Sequence, residues 1–240
     1  MNIDWLGWLT IVAASLFISW TLYLLLNKFY FKQREFWAWL KRPHIRYALS
    51  LLKPLYQNVN GMEVARKAWQ QSRFRDFAFT YGEIDIISFI AILETAQLKP
   101  GEIFYDLGSG TGKAVFTAAL AFNFAACKGI ELVPELYQLS CQLKRRLPKL
   151  NAQIELINAD FLSVDFREAD VIFINAACFV GETWQTIVEK FIQLKPGTRV
   201  IVGSKQLPIP YFNLIDEKLR YMSWGEAIVR IYKRCHAELA

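Results

Sequence analysis

Residues 102–113 read EIFYDLGSGTGK, and the fold turns on this stretch. Its first half, Glu102 to Leu107, is a short apolar strand. Its second half sets Gly108, Gly110 and Gly112 ahead of a small-residue helical run from Gly112 to Phe124. Glycines let a backbone turn sharply and approach a ligand closely, and a strand–turn–helix is the setting in which such a loop works. The spacing is not that of a Walker loop, so an NTP-cradling site is not expected. Upstream, Ile84 to Leu98 reads as an apolar helix. Downstream, strands at Lys128 to Leu132, Ile154 to Ile157, Ala169 to Asn175 and Arg199 to Val202 alternate with helices at Pro134 to Leu147 and Glu182 to Leu194. Residues Tyr211 to Tyr232 supply two more strands. Alternation of this kind predicts an α/β fold with a doubly wound, Rossmann-like and mostly parallel sheet.

Two acidic positions extend the reading. Glu131 ends the second strand in KGIEL, where a carboxylate can accept both hydroxyls of a ribose. A glycine loop with such an acid points to an adenosyl cofactor and leaves NAD and S-adenosylmethionine both open. Asp160 and Phe161, in NADFLS, follow the third strand; there an acid can bond an adenine amino group and a ring can stack on the base. With NAACF (175–179) after the fourth strand and LKPG (194–197) before the fifth, the series resembles the class I S-adenosylmethionine-dependent methyltransferases. These close their seven-strand sheet with an antiparallel hairpin. The competing reading, a dinucleotide oxidoreductase, lacks the third glycine at its usual fingerprint position.

The motif order is more specific than any single motif. YGE (81–83) ahead of a helix, YDLGSGTGK, GIEL, DFLS, VIFINAACF and GSK occur in sequence. Together they resemble the disruptor-of-telomeric-silencing family, the non-SET, seven-strand protein-lysine methyltransferases, over about residues 75–232. Small membrane-anchored lysine methyltransferases, including the ATP-synthase c-subunit type, are similar in placing a hydrophobic segment before such a domain. The resemblance implies that Tyr81 and Glu83 lie in a loop that lids S-adenosylmethionine. It implies that Asp106, Gly108, Ser109, Gly110 and Lys113 hold the cofactor's methionine part, that Glu131 holds its ribose, and that Asp160 and Phe161 hold its adenine. Asn175 would line the mouth for the target amine as the catalytic side chain. The chain departs from the family in three places. Asn175 is followed by Ala176, Ala177, Cys178 and Phe179 instead of a second Asn and two Phe, position 113 is Lys where Gln is familiar, and no long basic tail precedes the end at Ala240. The expected acceptor is accordingly a lysine on a protein other than a histone.

The N-terminal end has a different character. Trp5 to Leu26 is an uncharged apolar run, about 33 Å long as a helix against a hydrocarbon core of about 30 Å. MNID ahead of it is not the basic start of a cleaved signal peptide. Lys28, Lys32, Arg34, Lys41, Arg42 and Arg46 follow the run. By the positive-inside rule the N-terminus lies outside and the rest in the cytoplasm. Residues 27–75 carry 11 Lys and Arg against 2 Glu, interleaved with aromatics, which suits an anionic lipid surface. The +6 net charge is thus local, and a nucleic-acid partner is not expected. The domains read from the sequence are a transmembrane anchor (1–27), a basic juxtamembrane segment (28–75, with 43–61 as a connector) and a cofactor-binding methyltransferase domain (76–240).

Composition agrees with this division. The chain is 54% hydrophobic with 21% charged residues, and its mean hydropathy is +0.19. That excludes a disordered chain and exceeds the usual apolar share of about 45–50%. Cys127, Cys141, Cys178 and Cys235 are widely spaced and only His44 and His236 accompany them, so neither a metal site nor a disulfide scaffold is expected. The expected function is a single-pass, membrane-anchored S-adenosylmethionine-dependent protein-lysine N-methyltransferase, with a membrane protein as a candidate target. Methylation of a small molecule or lipid headgroup, and a non-catalytic cofactor-binding scaffold, are the alternatives.

Overall fold

In a computed structural model the described residues are 5, 13–23, 41–71 and 81–235. They fall into two units, Met1–Arg46 and Tyr47–Ala240. In the first unit, residues 13–23 form a helix, α1, whose Leu16, Phe17, Ile18, Trp20 and Tyr23 are exposed. Among the described residues no helix is long and apolar enough to cross a membrane. The expected span over residues 5–26 lies outside the described residues except for 5 and 13–23.

The second unit is built on a seven-stranded sheet in the order β3-β2-β1-β4-β5-β7-β6. Strands β1 (Ile103–Leu107), β2 (Ala126–Glu131), β3 (Gln153–Asn158), β4 (Val171–Asn175) and β5 (Arg199–Gly203) pair in parallel. β6 (Phe212–Met222) and β7 (Gly225–Arg234) form an antiparallel hairpin, and β7 runs antiparallel to β5. The seven-strand sheet with its reversed last hairpin matches the architecture expected from the sequence. β1, β4 and β5 read as short continuous apolar runs because parallel strands are covered on both faces. β1 lies between β2 and β4, so the strand order reverses beside it. At such a switch point the loops leaving the carboxyl ends part and open a crevice.

The intervening helices follow from local chemistry. α4 (Ile86–Thr95) starts at Asp85, whose side chain accepts the Ser88 N–H at 2.9 Å. α5 (Lys113–Ala121) is entered through Gly112 at φ +80°, where a Cβ would stand 2.9 Å from the Phe116 ring. The alanine-rich α5 is buried along almost its whole length and packs against α4. α6 (Pro134–Lys144) has its proline in the first turn, where no N–H is needed. α7 (Gly181–Ile192) buries Ile187 and Phe191.

The stretch expected as a connector, 43–61, is helical over most of its length: α2 spans Pro43–Tyr56, and α3 begins at Gly61 and runs to Gln71. Pro43 occupies the first turn, where no N–H is needed; Pro54 gives up one N–H bond in the last turn, and Ala48, Leu49, Leu52 and Leu55 form a buried stripe at helical spacing that outweighs it. β2 also begins two residues ahead of the expected Lys128, since Ala126 and Cys127 are weak strand formers by composition alone.

Phe89 of α4 lies between Phe104 of β1 and Phe173 of β4, with ring centroids at 5.9 and 4.9 Å, and all three rings are buried. Phe89→Ala therefore removes a buried ring from the packing of α4 on β1 and β4. The expected loss is about 3–5 kcal/mol of unfolding free energy in a urea titration. A loss below about 1 kcal/mol would contradict this packing.

Candidate functional site

A cleft of about 270 Å³ opens at the carboxyl ends of β1, β2 and β4. Tyr81, Gly108, Glu131, Asp160, Phe161 and Asn175 line it, together with Gly82, Leu132, Val133, Leu136, Cys178, Phe179 and Thr183. Six of the eleven sequence-derived site residues thus meet on one cavity. Glu83, Asp106, Ser109, Gly110 and Lys113 are not on its wall; they sit in and behind the glycine loop.

The loop's own hydrogen bonds limit what it can hold. The N–H groups of Gly108 and Ser109 both donate to the Ile130 carbonyl at 2.9 Å, and that of Gly112 to the Ser109 carbonyl at 2.8 Å. Gly110 N–H donates to Glu131 Oε2 at 2.7 Å. These donors are engaged within the protein, so the loop is not a phosphate cradle of the kind that aims a row of backbone N–H groups at an anion. The Ser109 side chain is turned against Gly129 of β2 and its hydroxyl is buried without a partner. A role for Ser109 toward a ligand passes through its backbone position.

Glu131 is 7% exposed and bound on both oxygens, by Gly110 N–H and, at 2.7 Å on Oε1, by Val133 N–H. Burial raises its pKa above the ordinary carboxylate range, and the backbone N–H groups pull it back. Asp160 takes the Leu162 N–H on Oδ1 at 2.8 Å and opens a short 3₁₀ turn, Phe161–Ser163. Phe161 meets Phe179 edge to face at 5.6 Å, which fixes its ring on the cleft wall.

Behind the loop lies a tight polar cluster. The Glu83 carboxylate accepts from the Tyr81 hydroxyl, the Thr111 hydroxyl and the Lys113 ammonium. Lys113 Nζ also lies 5.0 Å from the centre of the Tyr56 ring. Burial, and then the nearby Glu131 and Glu83 charges, push the Asp106 carboxyl well above its usual range. The same two influences, burial and the Glu83 charge, raise the Tyr81 phenol. Glu83 is already paired with Lys113, and the Glu131 and Glu83 charges work against ionisation of Asp106, so a positive ligand beside them would relieve that repulsion. Sequence reasoning missed Thr111, Phe179 and Tyr56; Tyr56 stands in the stretch taken for a connector.

The other end of the cleft is set by Asn175 at the end of β4. Its Nδ2 donates to the Gly82 carbonyl at 3.3 Å, and its Oδ1 is buried without a hydrogen-bond partner. Gly82 lies flat against the Trp224 indole, leaving no room for a Cβ. Trp224 is on the β6–β7 turn, and the segment before α4 is stitched to that turn by Ser223 N–H to the Glu83 carbonyl (2.7 Å) and Asp85 N–H to the Tyr221 carbonyl (3.1 Å). Segments 140 residues apart in sequence are therefore bonded together beside the cleft.

Comparison with known proteins agrees with this geometry. The chain is 31% identical over 178 residues to an H3 lysine-79-specific histone-lysine N-methyltransferase of Eremothecium gossypii, covering 67% of this chain and 29% of that protein. It thus spans less than a third of that relative's length. It is 32% identical over 111 residues to a protein-lysine N-methyltransferase of Saccharolobus islandicus, covering 46% of this chain and 66% of the other. Magnesium protoporphyrin IX methyltransferase of Synechocystis PCC 6803, solved with bound S-adenosylmethionine, superposes with a TM-score of 0.52 at 13% identity, over 75% of this chain and 93% of that one; this likeness is one of fold. The family model for the histone methylation protein DOT1 matches residues 63–222. That match takes in the glycine loop, Glu131, Asp160 and Asn175, and the chain belongs to the DOT1 family.

Proposed function

We propose that this chain is an S-adenosylmethionine-dependent protein-lysine N-methyltransferase held at a membrane by residues 5–26. One observation carries the cofactor reading. The glycine loop has its N–H groups engaged internally, while Glu131, Asp160 and Phe161 offer acceptors and a ring around the same cleft. That set suits a nucleoside attached to a cation and does not suit a pyrophosphate, which separates S-adenosylmethionine from a dinucleotide. Glu131 takes backbone N–H groups from Gly110, Val133 and Leu132, and its two oxygens can together accept about four bonds, so capacity remains for a ribose hydroxyl. Asp160 and Phe161 would hold the adenine, and Asp106 with the Glu83–Lys113 pair the charged methionine end.

Bound S-adenosylmethionine supplies an electrophilic methyl group on a sulfonium. The protein's share is alignment and desolvation of the acceptor. A lysine ammonium, with a pKa of about 10.4 in water, must lose a proton before its lone pair is available. Passage into the half-apolar cleft between Tyr81, Phe179 and Asn175 disfavours the charged form. Asn175 Oδ1, buried and unpartnered, can accept an N–H of the amine and aim its lone pair without acting as a strong base.

Protein lysine as the acceptor is supported by the family and by the similarity to the protein-lysine N-methyltransferase of Saccharolobus islandicus. The membrane reading is supported by the apolar run 5–26 and the basic residues that follow it. It assigns a single pass with the catalytic unit in the cytoplasm and makes a membrane protein the favoured target. Labelled S-adenosylmethionine with the full chain and membranes should label protease-sensitive bands. Label in solvent-extractable lipid would assign headgroup methylation instead, and cofactor binding without any transfer would assign a scaffold. Full extraction of the chain from membranes by alkaline carbonate would overturn the anchor.

Linkage adds a second test. The folded-state pKa values of Asp106 and Glu131 lie above the ordinary carboxylate range. Their contribution to the free protein's stability is present below that range and declines as pH rises through the raised values. A bound cation favours the ionised carboxylates, so cofactor binding should release protons and tighten as pH rises from about 4 toward neutrality. Calorimetry in buffers of different ionisation enthalpy reads this directly; a buffer-independent enthalpy would refute it. Glu131→Ala should weaken cofactor binding by about 1.5–3 kcal/mol. Asp106→Asn should raise the melting temperature of the free protein at neutral pH while weakening the cofactor.

A further inference from the structure

Tyr56 closes α2, ahead of the residues matched by the family model, and yet it reaches the glycine loop. Its hydroxyl donates to the Thr111 carbonyl at 3.0 Å. Its ring faces the Lys113 ammonium, which is paired with Glu83. Five residues on, Gly61 begins α3 with its Cα against the Tyr81 phenol; a Cβ there would stand 2.6 Å from Tyr81 Cζ and 2.8 Å from Thr111 Cγ2. On the other side of the same ring, a Cβ at Gly110 would stand 2.7 Å from Tyr81 Cε2. Tyr81 is thus pinned between two glycines, one in the glycine loop and one in the α2–α3 corner, while it also lines the cleft.

We propose that the α2–α3 corner, through Tyr56 and Gly61, is a positioning element for the methionine half of the cofactor. It rests on the cofactor reading above. Tyr56 holds the Thr111 carbonyl and flanks Lys113, so the loop residue that bonds Glu83 and the cation that pairs with Glu83 are both set from α2. Gly61 leaves the space that Tyr81 fills, and Tyr81 in turn covers Gly110. None of these contacts involves Asp160 or Phe161, so the corner acts on the charged end of the ligand and not on the base.

The test separates those two ends. In the full chain, Tyr56→Phe deletes one hydroxyl and keeps the ring; affinity for S-adenosylhomocysteine should fall about fivefold, while affinity for adenosine, which has no methionine part, should stay within about twofold. Gly61→Ala, at a helix start where alanine is well tolerated, displaces Tyr81 and should give a larger loss with the same selectivity. Unchanged S-adenosylhomocysteine affinity in both variants, or equal loss for both ligands, would overturn the assignment. If the unaltered chain binds neither ligand, the cofactor reading itself falls and the proposal with it, a result distinct from a silent pair of variants.

Discussion

The Glu131 carboxylate is the tie on which the site depends. It is buried at the end of β2, and its two oxygens take N–H groups from opposite directions: Gly110 in the loop after β1, and Val133 at the entrance to α6. The loop after β1 and the loop after β2 are thereby fixed relative to each other at the place where strand order reverses. A buried carboxylate held only by backbone donors keeps a raised pKa, which is costly in the free protein. An apolar residue there would avoid the desolvation penalty but leave the Gly110 and Val133 N–H groups without acceptors, so the carboxylate serves the loops and keeps lone pairs for a ligand.

The same economy runs through the cluster around Glu83. A carboxylate, a phenol, a hydroxyl and an ammonium are packed together, so Glu83 and Lys113 meet direct partners, while burial and the Glu131 and Glu83 charges disfavour the ionised form of Asp106 close by. The arrangement is dense because four separate segments supply it: the α2–α3 corner, the segment before α4, the loop after β1 and the start of α5. Such a cluster is satisfied only when all four are docked, which makes the geometry of the loop a property of the whole second unit.

Much of the fold was legible because parallel strands covered on both faces leave short apolar runs, and because a glycine loop between a strand and a helix has few other uses. Glu131, Asp160 and Asn175 were legible for the same reason: each ends or follows a parallel strand at the carboxyl edge. The α2 helix was not, since Pro43 and Pro54 argue against a helix until one sees that they fall in its first and last turns. Nor could sequence tell where the Ser109 side chain points. Gly129 beside it on β2 makes room for that hydroxyl, a pairing across strands that only register reveals. Tyr56 was invisible for a related reason, because its partner Thr111 is 55 residues away and the bond is to a main-chain carbonyl, which carries no residue signature.

Lys113 shows how a departure from family expectation acquires a physical meaning. A glutamine at that position could serve a ligand carboxylate through a neutral amide. Lysine brings a full charge that must be balanced when the cleft is empty, and Glu83 balances it, with the Tyr56 ring alongside. The pair of opposite charges is the complement of an amino-acid headgroup, ammonium against carboxylate and carboxylate against ammonium. An aromatic on α2 and a lysine on α5 thus meet at the glycine loop: Glu83 supplies the counter-charge, and the Tyr56 ring, held to the loop by its bond to the Thr111 carbonyl, supplies a face 5.0 Å from the ammonium.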